Sequence, residues 1–310
     1  MDRTPVTVKS YANIAIIKYW GKEDAEKMIP STSSISLTLE NLFTKTQLSP
    51  LEDAVSDAFY IDGVKQDKIE LAKMGKVLDL FRQDPNEYVR IDTWNNMPTA
   101  AGLSSSSSGL SALVKAANAY FGGHKSQSEL AQLAKFASGS SSRSFYGPLS
   151  AWDKTTGDIY RVPTDLKLGM IMLVLSDHKK PISSREGMKR ARDTSAYFQE
   201  WVEQSERDYH QMLAYLKANE FDKVGQLTEA NALRMHETNH QAQPAFSYLT
   251  EKTYEAMQRV KELRDKGEQC YFTMDAGPNV KVLCLEKDLD RLARIFQKDY
   301  QVITSRTKAL

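Results

Sequence analysis

The stretch Pro98-Thr99-Ala100-Ala101-Gly102-Leu103-Ser104-Ser105-Ser106-Ser107-Ser108-Gly109 stands between an extended segment, Tyr88 to Trp94, and a strongly helical one, Leu110 to Phe121. A small-residue loop that opens a helix leaves backbone N–H groups unpaired at the positive end of the helix dipole. Such a loop binds phosphate, because the missing side-chain bulk lets an anion reach the backbone. Five consecutive serines add hydroxyls that can donate to phosphate or ligate Mg²⁺. A Ser-rich linker has the same composition, yet Leu110, Leu113, Val114 and Ala117 resume helical spacing at once. The reading is a phosphate loop within a strand–loop–helix unit. It contains no G-x-x-x-x-G-K-[ST], and the chain has no G-x-S-x-G elbow and no G-x-G-x-x-G after a strand.

Upstream of the loop the chain is β-rich. Val6 to Val8, Ile14 to Tyr19, Ser34 to Leu39 and Thr44 to Leu48 read as strands, and Phe59 to Val64 as a hairpin turning at Asp62-Gly63. Lys68 to Phe81 places Leu71, Met74, Val77, Leu78 and Phe81 on one helical face. Downstream come helices at about Ser104 to Phe121 and Gln127 to Ala137, then strands at Asp158 to Val162 and Leu168 to Leu175. From Ser183 the pattern changes to long helices, Ser184 to Asp193, Ala196 to Ala218, Phe221 to Asn239 and Pro244 to Lys266. Two strands, Cys270 to Met274 and Val280 to Leu285, precede a last helix, Leu289 to Phe296. The charged segment His178-Lys179-Lys180-Pro181 marks the expected boundary between domains 1–180 and 181–310. The expected fold is α+β in two lobes, β-rich then helix-rich, with the active site in the cleft between them.

The 310 residues hold 41 basic and 40 acidic side chains, a net charge of +1, which advertises neither a nucleic-acid nor a polybasic membrane surface. The mean hydropathy of -0.49 is that of an ordinary soluble protein. No apolar run reaches membrane-spanning length and the first residues lack a signal-peptide core, so the expected location is cytoplasmic. The two cysteines, Cys270 and Cys284, lack metal spacing and read as buried free thiols.

Four further constellations can carry chemistry. Asn13-Ile14-Ala15-Ile16-Ile17-Lys18-Tyr19-Trp20-Gly21-Lys22 ends a strand in two ammonium groups and two aromatic donors. Snorkelling lysines on an edge strand would look similar, but Asn13 and Lys18 within an apolar run need partners, which favours a site. Ser138-Gly139-Ser140-Ser141-Ser142-Arg143-Ser144 is a second small-residue loop, and it carries the planar fork of an arginine. Read alone, it is equally a surface turn. His178 to Arg185 is a basic segment feeding a helix N-terminus, an anion site or a solvated charge run. Met274-Asp275-Ala276-Gly277-Pro278-Asn279 sets an aspartate on a Gly-Pro turn, where only its company argues for function, since a phosphate loop needs a carboxylate partner. His236-Glu237-Thr238-Asn239-His240 satisfies the zinc-hydrolase pattern H-E-x-x-H, but Arg259 and Val260, or Gln243 and Phe246, stand where a third ligand belongs. It reads as a helix end.

Together these segments resemble the GHMP kinase superfamily, with Pro98 to Gly109 matching its P-x-x-x-G-L-x-S-S loop. Within it, Asn13 to Lys22 is similar to the N-I-A-x-I-K-Y-W-G-K motif of the diphosphomevalonate decarboxylase family. Asn95-Asn96-Met97-Pro98-Thr99-Ala100-Ala101-Gly102-Leu103, the G-S-x-x-R-S loop and Thr273 to Asn279 resemble that family's other signatures, in its order along nearly the whole chain. Serines replace the alanines usual after the family's Ser-Ser pair.

The resemblance implies ATP-dependent conversion of mevalonate 5-diphosphate to isopentenyl diphosphate with release of ADP, phosphate and CO₂. It implies catalytic roles for Asp275, Arg143, Lys18 and Asn13. It places Tyr19, Trp20, Lys22, Ser138, Gly139, Ser140 and Ser184 at the substrate. Asn96, Pro98, Ala101, Gly102, Leu103, Ser104, Ser105, Ser106, Ser107, Ser108, Lys179 and Lys180 fall to ATP, and Ser106 and Asp275 to Mg²⁺. It further implies a homodimer with no nucleic-acid or membrane partner. A sibling kinase that stops after phosphorylation, or a non-catalytic binding protein of the same fold, is the alternative.

Overall fold

The computed structural model describes residues 4–96, 105–176 and 181–310. In chain order the strands and helices are β1 (Val6–Ile17), β2 (Lys22–Asp24), β3 (Ile29–Pro30), β4 (Ser34–Pro50), β5 (Ala58–Ile61), β6 (Val64–Lys65), α1 (Lys68–Leu78), β7 (Val89–Asn95), α2 (Ser105–Tyr120), α3 (Gln127–Ala137), β8 (Leu149–Trp152), β9 (Ile159–Arg161) and β10 (Leu168–Val174). They continue as α4 (Ser184–Thr194), α5 (Phe198–Lys217), α6 (Phe221–His240), α7 (Glu251–Asp265), β11 (Cys270–Met274), β12 (Val280–Leu285), α8 (Leu289–Phe296) and β13 (Gln301–Arg306). The chain clusters into two compact units, whose described residues are 4–13, 42–96 and 105–145 in the first and 14–41, 146–176 and 181–310 in the second.

In the first unit β6, β5, β7 and the second half of β4 form consecutive sheet neighbours. β4 and β7 run antiparallel from Thr44 opposite Asn95 to Pro50 opposite Val89, and β5 lies parallel to β7. The turn between β5 and β6 puts Asp62 and Gly63 at φ 48° and 81°, the left-handed pair a two-residue hairpin requires. α1 begins at Asp67, whose carboxylate accepts from the backbone of Ile69 and Glu70. α3 begins with a capping box between Ser126 and Glu129.

In the second unit the first half of β4 pairs antiparallel with β8, and β8 with β9. A separate antiparallel sheet runs β11-β12-β10-β13. One of its faces carries Phe272, Met274, Val280 and Val282 into a core shared with Met257 and Val260 of α7 and Leu292 and Phe296 of α8. Cys270 and Cys284 are register partners in that sheet, buried and free, and burial pushes the Cys270 thiol up to about 12.

Two differences from the sequence expectation have a local physical cause. β4 is one strand where two were expected, because Asn41 is held by Thr304 and Ser305 rather than turning. α7 starts at Glu251 rather than Pro244, since the Thr250 N–H donates to the Thr253 hydroxyl and caps the helix there. β2, β3, β8 and β13 were not expected, and β1 is a single strand from Val6 to Ile17 where two were expected. None of the helices among the described residues is long and apolar enough to cross a membrane.

Candidate active site

In the second unit the chain leaves β1 through Lys18, which is 1% exposed. Its Nζ donates to the Ala15 carbonyl at 2.8 Å and to Asp275 Oδ1 at 2.7 Å. Its backbone N–H donates to Asn231 Oδ1 at 2.8 Å, and Asn231 in turn donates to Asp208, which also takes Arg234. Asp275 follows β11 directly, and its second oxygen lies 3.1 Å from the Lys281 ammonium of β12. Burial by itself would raise the Asp275 pKa, but Lys18 and then Lys281 outweigh it and hold the carboxyl well below the ordinary range. Asp275 is therefore a fixed negative charge with a quarter of its side chain exposed. His236 of α6 lies within electrostatic reach of the same groups, and burial, reinforced by Lys18, pushes its pKa down to about 3. Its ring packs edge-on against Tyr248 and is neutral at physiological pH. Its H-E-x-x-H companions Glu237 and His240 pair with each other at the helix end.

The rest of the Lys18–Lys22 motif is shaped by packing. Gly21 has φ +103°, and a Cβ there would stand 2.5 Å from Phe198 Cζ and 2.8 Å from Ser31 Oγ. Trp20 is 2% exposed among Phe198, Trp201, Met235 and Tyr248, and its indole N–H donates to Thr238, so its ring anchors the motif in the core. Tyr19 is half-buried beside Trp152. Lys22 is half-buried too, and its pKa is lowered by burial and then by the like charge of Arg185. Arg185 lies in the first turn of α4, next to Ser184, after the N-cap Ser183 accepts from Glu186 N–H. Two cations near one helix N-terminus suit a multiply charged anion.

In the first unit, Gly139 to Phe145 forms a 3₁₀ turn in which Ser141, Ser142, Ser144 and Arg143 are buried, while Ser138 and Ser140 stay half-exposed. Asn13 staples that turn, its amide donating to Ser140 O at 2.9 Å and to Ser144 Oγ at 2.8 Å. Behind it Lys115 of α2 donates to Ser144 O and Ser10 Oγ, and burial pushes its pKa down to about 8. The serine run divides by face. Ser108 exchanges a hydrogen bond with Thr44 at 2.7 Å, Ser107 accepts weakly from Asn13 N–H, and both are buried, whereas Ser106 is exposed. Asn96 closes the end of β7, exchanging bonds with the Phe43 backbone. Pro98, Ala101, Gly102, Leu103, Ser104, Lys179 and Lys180, and the side chain of Ser105, lie outside the described residues.

Magnesium does not fit Asp275, because an ammonium group faces each carboxylate oxygen. Ser106, exposed in the first turn of α2, does suit a hydroxyl ligand. No group of three His, Cys, Asp or Glu side chains among the described residues converges as a metal site.

Three structural supports escaped the sequence reading. Lys281 sits inside an apolar strand, and Asn231 and Asp208 are polar positions of long helices with no local signal. Asn279, noted only as part of a turn, receives the Leu175 and Ser176 N–H groups and fixes the end of β10.

A carboxylate kept ionised by lysines, in a chain that also carries a helix-opening serine loop, is the equipment of an enzyme on the GHMP kinase fold. Residues 10–160 match the diphosphomevalonate decarboxylase-like N-terminal domain, and residues 170–310 the mevalonate 5-diphosphate decarboxylase C-terminal domain. The chain belongs to the diphosphomevalonate decarboxylase family. It is similar to the mevalonate pyrophosphate decarboxylase of Streptococcus pyogenes, with 65% identity and a TM-score of 0.97 over 100% of this chain and 98% of that one. MDDEF, solved in complex with MVAPP, AMPPCP and magnesium, is 37% identical with a TM-score of 0.91 over 99% and 98%. The diphosphomevalonate decarboxylase of Candida albicans is 29% identical over 95% of this chain and 88% of its own.

Proposed function

We propose that the chain converts mevalonate 5-diphosphate and ATP to isopentenyl diphosphate, ADP, phosphate and CO₂. The observation that carries this reading is the buried Lys18–Asp275 pair at 2.7 Å, joining the family's two most distinctive motifs. A tertiary alcohol is a poor leaving group, so the C3 oxygen first attacks the γ-phosphorus of ATP. The bond from that phosphorus to ADP breaks with its electron pair leaving on ADP. Asp275 orients the hydroxyl; held ionised by its lysines it is a weak base, and it takes the proton only as the C3–O–P bond forms. It then returns the proton to a phosphate oxygen. In the second stage the C3–O bond breaks with its pair on phosphate, and the pair of the C–C bond to the carboxylate becomes the new double bond as CO₂ departs. Positive charge building at C3 meets the Asp275 carboxylate.

Arg143 grips the substrate carboxylate, with Asn13 holding its turn in place. Lys22, Arg185, Tyr19, Ser184, Ser138, Gly139 and Ser140 receive the diphosphate. The serine loop and Asn96 hold ATP, with Ser106 as the Mg²⁺ ligand; the metal, when bound, neutralises phosphate charge. Lys179 and Lys180 reach the nucleotide. A homodimer in the cytoplasm, with domains 1–180 and 181–310, completes the proposal.

Labelled CO₂ release from carboxyl-labelled mevalonate diphosphate, measured with and without ATP, tests the reading. CO₂ and ADP are expected in equal amounts, and neither without ATP. ADP without CO₂ would identify a sibling kinase instead.

A further inference from the structure

Lys281 is a costly residue for its place. It lies in β12 opposite Thr273 of β11, between Val280 and Val282, and its side chain is fully buried. Val280 and Val282 turn to the opposite, apolar face of the sheet, whereas Lys281 lies buried on the other face with Met172 and Thr273 as register partners. An unbranched apolar side chain such as methionine would fill that place without burying a charge. Among the described residues the Lys281 ammonium has one ion-pair partner, Asp275 Oδ2 at 3.1 Å, and no well-aligned hydrogen bond. That contact is not needed to neutralise Asp275, since Lys18 already donates to the other oxygen at 2.7 Å. With His236 neutral beside them, two ammonium groups and one carboxylate leave a buried cluster with a surplus positive charge. Burying a second ammonium against an already paired carboxylate does not stabilise a fold.

We propose that Lys281 is a positioning residue for phosphoryl transfer. It pins the second oxygen of Asp275, so that the carboxylate plane is set by one lysine on each side. It also keeps the cluster net positive, ready for the negative charge that a transferring phosphoryl group spreads over its oxygens. The inference rests on the role given to Asp275 above and adds that its orientation depends on a residue from the neighbouring strand.

The test is Lys281→Met, which keeps length and burial while removing the charge. The melting temperature is expected to stay level or rise, because Lys18 still pairs Asp275. At the same time kcat is expected to fall by about tenfold or more, with KM for ATP and for mevalonate diphosphate within about threefold of wild type. Lys281→Arg, which restores a cation, should recover part of that loss. A purely structural lysine would give the opposite pattern, a lowered melting temperature with unchanged kcat per folded molecule. Should the Met variant not fold, Lys281→Gln keeps the volume and a donor without the charge, and the same fall in kcat is expected. Wild-type kcat in either folded variant overturns the inference. If that happens while Asp275→Asn is inactive, only the Lys281 role falls; an active Asp275→Asn would remove the reading of the site itself.

Discussion

An aspartate with one lysine on each oxygen has its ionisation fixed by its neighbours, and that makes Asp275 the residue on which the proposed chemistry turns. Replacing it with asparagine removes the proton acceptor and the counter-charge for C3 together. Asp275→Asn is expected to lower turnover by about a thousandfold or more, with nucleotide affinity measured by calorimetry changed by less than about fivefold. Because Lys18 and Lys281 would lose their shared anion, the melting temperature should also drop. An asparagine variant with full activity would refute the mechanism. Asp275 and Lys18 were legible in the sequence as members of separate motifs, with a Lys18 that tunes Asp275 as one of two roles the resemblance offered; the direct pair across 257 positions came from the fold. Lys281 carried the same local signal as Lys18, a lysine within an apolar run, but stood outside every recognised motif, and only the fold shows that it points inward to Asp275.

At the scale of elements, the turn from Lys18 to Lys22 depends on a glycine. Gly21 is in the left-handed region, and any Cβ would strike the Phe198 ring and the Ser31 hydroxyl. Gly21→Ala is expected to cost about 1–3 kcal/mol in urea unfolding and to raise KM for mevalonate diphosphate, since Lys18 and Lys22 flank the strained position. Unchanged stability and KM would show that the turn yields. Elements with local signals matched the sequence reading. α3 has a capping box, α8 a strong apolar stripe, and β11 and β12 apolar runs bounded by turn residues, and all four hold the expected limits. β13 has only mixed burial and exists because β10 offers an edge from Gly169 to Val174. No window of six residues contains that information.

For the molecule as a whole, Lys115 ties stability to pH. Its folded pKa of about 8 lies below the ordinary lysine value of 10.5, so between those two values the unfolded chain binds more protons than the folded one. Stability from this residue therefore rises with pH across that window, and below it the folded chain bears the full penalty of a buried charge. Lys115→Met should flatten the slope, so denaturation at about pH 7.5 and about pH 9.5 is expected to show the variant gaining more relative to wild type at the lower pH than at the higher. Parallel profiles would rule this out. The sequence by itself determined the fold class, the helix that begins within the serine run and the residue types of the candidate site, because helical and strand periods, small-residue runs and motif spacings are local properties of a chain. Only the tertiary structure decided which groups work together. Burial and distance turn Lys18, Lys281 and Asp275 into one charge cluster, draw Trp20 into the core, and separate the buried Ser107 and Ser108 from the exposed Ser106. Ionisation and hydrogen bonding follow from what a side chain is packed against, and residues far apart in sequence supply that environment.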